Sequence, residues 1–269
     1  SPTLSTNVST FTFTFNDQAT STEVNALLQA LQYDNTNDDN PVESTRTVTY
    51  TFQDVPTLSE TTPAVGTVSV VVEGVDDNPV LTSSDTPDYT ENTSATQITP
   101  TATISDPDGT DFSSGNLTVS IVLNGVGTED NLGIGTANNI SIAGTTISRN
   151  GSPFASLIVP TSLGSNDSTL TIAMLTATKT DVESLIQAIT YDNTNFDAPN
   201  ITSRTIRFVY TDSSNLGTGN IDFTQSITPV NDKPVLANAI DAVTYTENAS
   251  PVLIYSNVSA SVSDVDSST

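Results

Sequence analysis

Through most of the chain, apolar and polar residues alternate with a period of two. The runs TVTYTF (47–52), TVSVVV (67–72), NLTVSIVL (116–123), TLTIAML (169–175) and TIRFVYT (205–211) are rich in β-branched and aromatic residues. Clusters of Gly, Asn, Asp and Pro bound them, which predicts half-buried strands separated by turns. Two stretches switch to a helical period. Val182, Leu185, Ile186 and Ile189 fall at i, i+3, i+4 and i+7, as do Val24, Leu27, Leu28 and Leu31. Each set predicts one short helix whose apolar stripe is core, plugging an edge or end of a β-sandwich. Thr180 with Glu183 has capping-box spacing, which the earlier stretch lacks at the equivalent place. The predicted class is all-β, with a short helix in each repeating part.

The two helical stretches belong to a longer repeat. EVNALLQALQYDNTN (23–37) recurs as DVESLIQAITYDNTN (181–195), and STRTVTYTFQD (44–54) as TSRTIRFVYTD (202–212), both at an offset of 158. FTFTF (11–15) matches LTIAM (170–174) at 159, one loop residue having been gained. DDNPVL (76–81) pairs with NDKPVL (231–236), YTEN (89–92) with YTEN (245–248), and SDPD (105–108) with SDVD (263–266). A period of about 156 residues is that of whole domains in array rather than a solenoid. The predicted division is the later half of one repeat over 1–77, a complete repeat over 78–232, and the opening of a third over 233–269.

Charge then narrows the partners. Six basic residues stand against 31 acidic ones, a net charge of −25, which makes nucleic acid and anionic membrane surfaces poor partners. Asp outnumbers Glu by 23 to 8; short carboxylates in loops suit a hard cation such as calcium (Ca²⁺), while an acidic solvation coat is the other reading. The chain has no Cys and no His, which removes disulfides, thiolate chemistry and the commonest general base. No apolar run is long enough to span a membrane. The chain starts without Met and shows no signal peptide at Ser1, so an internal fragment of an exported protein is expected.

Position favours the cation. Asp76, Asp77 and Asn78 precede Pro79, and Asn231 and Asp232 stand just before Lys233 and Pro234, where a stiff extended linker is expected. Glu91 lies in the first predicted strand, Asp106 and Asp108 form a D-x-D-G turn, and Asp212 ends the run TIRFVYT. Alternate Asp residues in a turn can aim two carboxylates at one point, although Asp-Pro and Asp-Gly are also ordinary turn residues.

The order YTEN, SDPDG, VYTD and VNDKP resembles that of cadherin-like repeats in large bacterial surface proteins and adhesins. The likeness covers essentially all of 79–233 and both flanks. It implies a tandem Ig/cadherin-like Greek-key β-sandwich with calcium at each junction. Asp76, Asp77 and Asn78 match the linker motif, Asp106 and Asp108 the following D-x-D, and Asp212 the late-strand Asp, with Asp54 its counterpart in the earlier copy. At the second junction the resemblance implies that Glu91, Asn231, Asp232, Asp264 and Asp266 assemble, with Glu247 serving a third. The family's mid-repeat D-R-E has no clear match; Asp34 and Asp192 of YDNTN are the nearest candidates, bracing a turn being their other reading. Lys233 stands where the first junction has Asn78, which predicts fewer or weaker ions there.

The functional expectation is a calcium-rigidified spacer of an extracellular adhesin or matrix filament, and not an enzyme. Its partners would be neighbouring repeats of the same chain, with other copies in a filament or a cell-surface ligand beyond them. A ligand- or carbohydrate-binding sandwich is the alternative, although sixteen Phe and Tyr without a Trp argue against a sugar-stacking platform. Sequons such as Asn92, Asn116 and Asn200 are no more frequent than this Asn-, Ser- and Thr-rich composition produces by chance. Arg46 and Arg204 are expected to tie loop carboxylates or carbonyls.

Overall fold

The computed structural model of the chain describes residues 10–16, 18–53, 62–109, 111–160, 163–164, 166–212, 218–238, 242–254 and 260–266. They fall into two compact units, Ser1–Asp76 and Asp77–Thr269.

Unit 1 contains helix α1 (Ser21–Ala30) and an antiparallel hairpin of β1 (Thr45–Phe52) and β2 (Ala64–Val71). Thr20 caps α1 in a reciprocal box with Glu23, yet the helix buries none of its residues. Val65, Val68 and Val71 are exposed. Residues 11–15 form no strand; their Phe rings are exposed, with Phe15 lying 6.3 Å from Phe52. The physical reason is partnership. The matching run in unit 2 is held between two neighbouring strands, and among the described residues unit 1 supplies neither.

Unit 2 is predominantly β and is built from several sheets. Its early strands are β3 (Val80–Thr82), β4 (Asp88–Thr90), β5 (Thr96–Gln97), β6 (Thr103–Ser105) and β7 (Asn116–Leu123). Next come β8 (Asp130–Ile134), β9 (Ile140–Ala143), β10 (Thr146–Arg149), β11 (Ser152–Val159) and β12 (Thr169–Met174). After helix α2 (Lys179–Ala188) follow β13 (Ile189–Asn193), β14 (Arg204–Thr211), β15 (Thr218–Thr228), β16 (Val235–Ala237) and β17 (Ser261–Ser263).

One eight-stranded sheet runs β4-β15-β14-β7-β12-β11-β10-β9, and a three-stranded sheet runs β5-β13-β8. Alternation sends Ile206, Phe208 and Tyr210 of β14 and Leu117 and Val119 of β7 inward. They join Tyr89, Leu132, Leu170, Ile172 and Tyr191 in one core between the sheets, in the manner of a sandwich. Edge-on ring pairs Tyr89–Tyr191, Phe112–Tyr210 and Phe208–Phe223 sit 5.5–5.6 Å apart within it. Asn150 and Gly151 both take positive φ, as the two-residue hairpin between β10 and β11 requires. A Cβ on Gly219 would strike the Pro79 carbonyl oxygen, so this glycine lets β15 pass the chain leading into β3.

Helix α2 packs as its period implies, with Val182, Leu185, Ile186 and Ala188 buried. Its cap differs from the expected one. Thr178 and Asp181 form the box, not Thr180 and Glu183, because the helix starts earlier; Glu183 instead accepts from the Ile104 amide at 3.2 Å. The capping residue of α1, Thr20, stands 158 positions before Thr178, so both helices carry the box after all.

Other local contacts recur at matching positions. Arg46 donates to the carbonyls of Val42 (2.8 Å) and Ser44 (3.0 Å), and Arg204 to those of Asn200 (2.8 Å) and Thr202. The Tyr89 and Tyr245 hydroxyls each donate to a carbonyl four residues on, at 3.1 Å in both cases. β3 pairs with β6, and β16 with β17, in the same antiparallel manner.

Candidate functional site

The topology of unit 2 determines which acids meet. β4 runs parallel to the long strand β15, with Asp88, Tyr89 and Thr90 beside Ser226, Ile227 and Thr228. Glu91, the next residue, therefore arrives where β15 ends and the chain leaves towards Asn231 and Asp232. Its amide donates to the Thr228 carbonyl (2.9 Å), and its Oε2 accepts from the Val230 amide (2.7 Å). The residue is only 2 % exposed, and its Oε1 is buried with no hydrogen-bond partner. A buried, unpartnered carboxylate oxygen is costly and calls for a cation or donor.

Next along the chain, the Asp232 amide donates to Asp266 Oδ2, while the Asp266 amide donates to Asp264 Oδ1 at 3.1 Å. Asp232 Oδ2 is also buried and unpartnered. Desolvation pushes the Asp232 carboxyl up from its ordinary pKa, and the nearby charges of Asp266, Asp197 and Asp264 push it further. With these three carboxylates near Asp232, the region is one of concentrated negative potential. Asn231 turns its amide to the Asp232 carbonyl at 2.6 Å. Lys233 is exposed, and among the described residues it forms no ion pair.

The same clasp stands at the start of unit 2. The Asp77 amide donates to Asp108 Oδ2, and the Asp108 amide to Asp106 Oδ1 at 2.9 Å. Asp212, ending β14, is brought to the same region. Burial raises the Tyr210 phenol pKa, followed by the charges of Asp212, Asp106 and Asp111. The phenol donates to the Phe112 carbonyl at 2.7 Å, which keeps it protonated among these carboxylates. Asp76 belongs to unit 1, and Asn78 is exposed.

The remaining candidates sit elsewhere. Asp192 lies beside the buried Tyr89, whose phenol is pushed up to about 12 by burial and then by Asp192. Asp34 and Glu247 are exposed, and Asp54 lies outside the described residues. Two acids escaped the motif reading: Asp197, in the loop after β13, and Asp111, after the D-x-D turn. Asp197 lies in the loop FDAPN, and its charge reaches Asp232 beyond the end of β15, a proximity that no motif in the sequence signals.

Glu129 anchors that loop: its Oε1 accepts from Asn195 Nδ2 (3.1 Å) and its Oε2 from the Asn200 amide (3.0 Å), with Arg204 3.7 Å from Oε2. Partial burial opposes the charge of Glu129, but these donors outweigh it and lower its pKa. Among the described residues no three acidic side chains already close into a ligating cage. The oxygens are gathered rather than locked, and two of them lack partners. No helix among the described residues is long and apolar enough to cross a membrane. A scan against known protein families and a search of curated proteins each found no match.

Proposed function

We propose that the chain is a stretch of tandem cadherin-like repeats serving as a calcium-rigidified, non-catalytic spacer in an extracellular adhesin or matrix filament. The observation that carries this reading is Glu91. A 2 % exposed carboxylate with an orphaned oxygen, held at the exit of β15, is what a junction ion would satisfy. The repeated clasp, Asp77 on Asp108 and Asp232 on Asp266, supports equivalent sites at two boundaries.

At the second boundary Glu91, Asp232, Asp264, Asp266 and Asp197 would contribute oxygens, with Asn231 beside them. At the first, Asp77, Asp106, Asp108 and Asp212 would do so, with Asp76 and Asn78 supplying the linker side. Calcium there neutralises carboxylates that otherwise repel, and it joins the linker to the D-x-D turn that follows. A flexible joint becomes a fixed one, and binding to the folded state alone raises stability.

The test is thermal unfolding of residues 1–269 in millimolar calcium and in excess chelator, at constant ionic strength, with small-angle scattering on both. A calcium-specific rise in Tm with a longer, stiffer particle supports the spacer. Equal melting and shape, changed only by bulk salt, would reduce the acids to a solvation coat.

A further inference from the structure

The three-stranded sheet β5-β13-β8 turns one face to the core through Ile189, Tyr191 and Leu132, all fully buried. Its other face carries a row of three paired positions, Gln97, Thr190 and Gly133. Asn131 and Gly135 stand on that same face, two residues to either side of Gly133. A cleft of about 460 Å³ lies over the row, lined also by Ile134 and by Leu163 from the connection between β11 and β12.

Thr190 is the anomaly in this face. It points away from the core, yet it is only 8 % exposed, and among the described residues its hydroxyl makes no hydrogen bond. A buried side-chain hydroxyl is ordinarily satisfied. Two glycines keep the space beside it open. A Cβ on Gly133 would sit 2.9 Å from the Thr190 hydroxyl oxygen, and one on Gly135 would sit 3.1 Å from its methyl carbon. Glycine inside a strand marks a place where another group comes close.

The lining selects the ligand. Asn131 uses its Oδ1 on the Asp167 amide (3.0 Å), which leaves its Nδ2 as a donor. Gln97 commits its Nε2 to the Gln187 carbonyl (2.5 Å), which leaves its Oε1 as an acceptor. The Thr190 hydroxyl can do either. Ile134 and Leu163 add aliphatic surface, and no charged side chain lines the cleft, although the chain carries 31 acids. An anion finds no counterion there, and a cation finds no carboxylate. A sugar ring, with hydroxyls at its rim and C–H groups on its faces, matches both kinds of surface. The volume falls within the ~300–1,000 Å³ of small-molecule clefts.

We infer that this cleft holds a neutral saccharide unit, with Thr190, Asn131 and Gln97 bonded to its hydroxyls and Ile134 and Leu163 against a ring face. No aromatic ring lines the cleft, so a single unit binds with a Kd of roughly millimolar order. None of the junction acids lines it either, so the inference goes beyond the calcium reading and does not depend on it.

The test is saturation-transfer NMR on residues 1–269 in chelator, with methyl glycosides of glucose, galactose and mannose titrated to about 20 mM. At least one glycoside is expected to saturate. Its binding should weaken roughly fivefold in T190V, and roughly tenfold in N131D, which keeps the acceptor for the Asp167 amide. The thermal melt of T190V should match that of the parent, since the lost hydroxyl has no protein partner. Saturation by none of the three would overturn the proposal. Unchanged binding in both variants, or equal binding of glucuronate, would overturn it as well. Because chelator is present throughout, failure here leaves the calcium junctions standing, and a silent calcium melt leaves this cleft standing.

Discussion

The Nε of Arg204 lies 3.0 Å from both carboxylate oxygens of Asp130, and the two side chains are 0 % and 1 % exposed. Tyr191 adds a hydroxyl at 2.5 Å to the same carboxylate; burial, and then Asp130, raise its phenol pKa. Such a pair is costly to break from one side, because the survivor stays buried and charged. Arg204→Met should destabilise unit 2 by about 3–5 kcal/mol in denaturant unfolding. The double variant R204M/D130L should recover a good part of that loss, since it leaves no orphaned charge. Strictly additive losses would mean the pair is not coupled.

Glu91→Gln retains an acceptor for the Val230 amide while removing the charge. Calcium affinity at the second junction, read by isothermal titration, should fall at least roughly tenfold. The chelator melt should stay unchanged or rise slightly, because a buried unpaired charge has gone. A variant that melts lower in chelator yet binds calcium normally would make Glu91 a purely structural residue.

The pH response of Asp232 follows from its raised pKa. An acid held above its ordinary value contributes stability that is fully present below that value and is lost as pH rises through the raised one. In chelator, a carboxyl-carbon NMR titration should therefore place its midpoint above that of an ordinary Asp. The metal-free joint should order on acidification. Calcium should drive the midpoint down by competing with the proton. A midpoint at or below the ordinary value in chelator would remove Asp232 from the acidic cluster.

The capping assignment separates two neighbouring threonines. Thr178→Ala removes the acceptor for the Asp181 amide and should cost about 1 kcal/mol. Thr180→Ala, inside the first turn, should stay within about 0.5 kcal/mol of the parent. Denaturant midpoints measured side by side decide between them.

Strand β7 was legible to the residue, because its alternation sets Leu117 and Val119 against a two-sided core that the chain itself supplies. Residues 11–15 carry an equally clean alternation and form no strand, since pattern gives a face but not a neighbour. The helix start was missed because both Thr178 and Thr180 have an acid three residues on, and only backbone geometry tells them apart. At the junctions, the acids at fixed spacing from a proline could be read off. Asp197 and Asp111 could not, because loops of unlike length bring them in. The orphaned oxygen of Glu91 is a property of burial, which no motif records.

The parallel pairing of β4 with β15 has a mechanical consequence. Tension applied through the chain at Asp77 and Asp232 draws β4 towards its own start and β15 towards its own end. Because the strands point the same way, their ladder is sheared rather than peeled, so its rungs must yield together. Asp88 adds side-chain rungs at 2.6 Å to Ser226 and 3.1 Å to Thr228. Resistance to pulling then depends on the rate of crossing a single cooperative barrier rather than on the equilibrium stability of the fold, and a cation bound to Glu91 at the end of that ladder would sit where the strain is greatest.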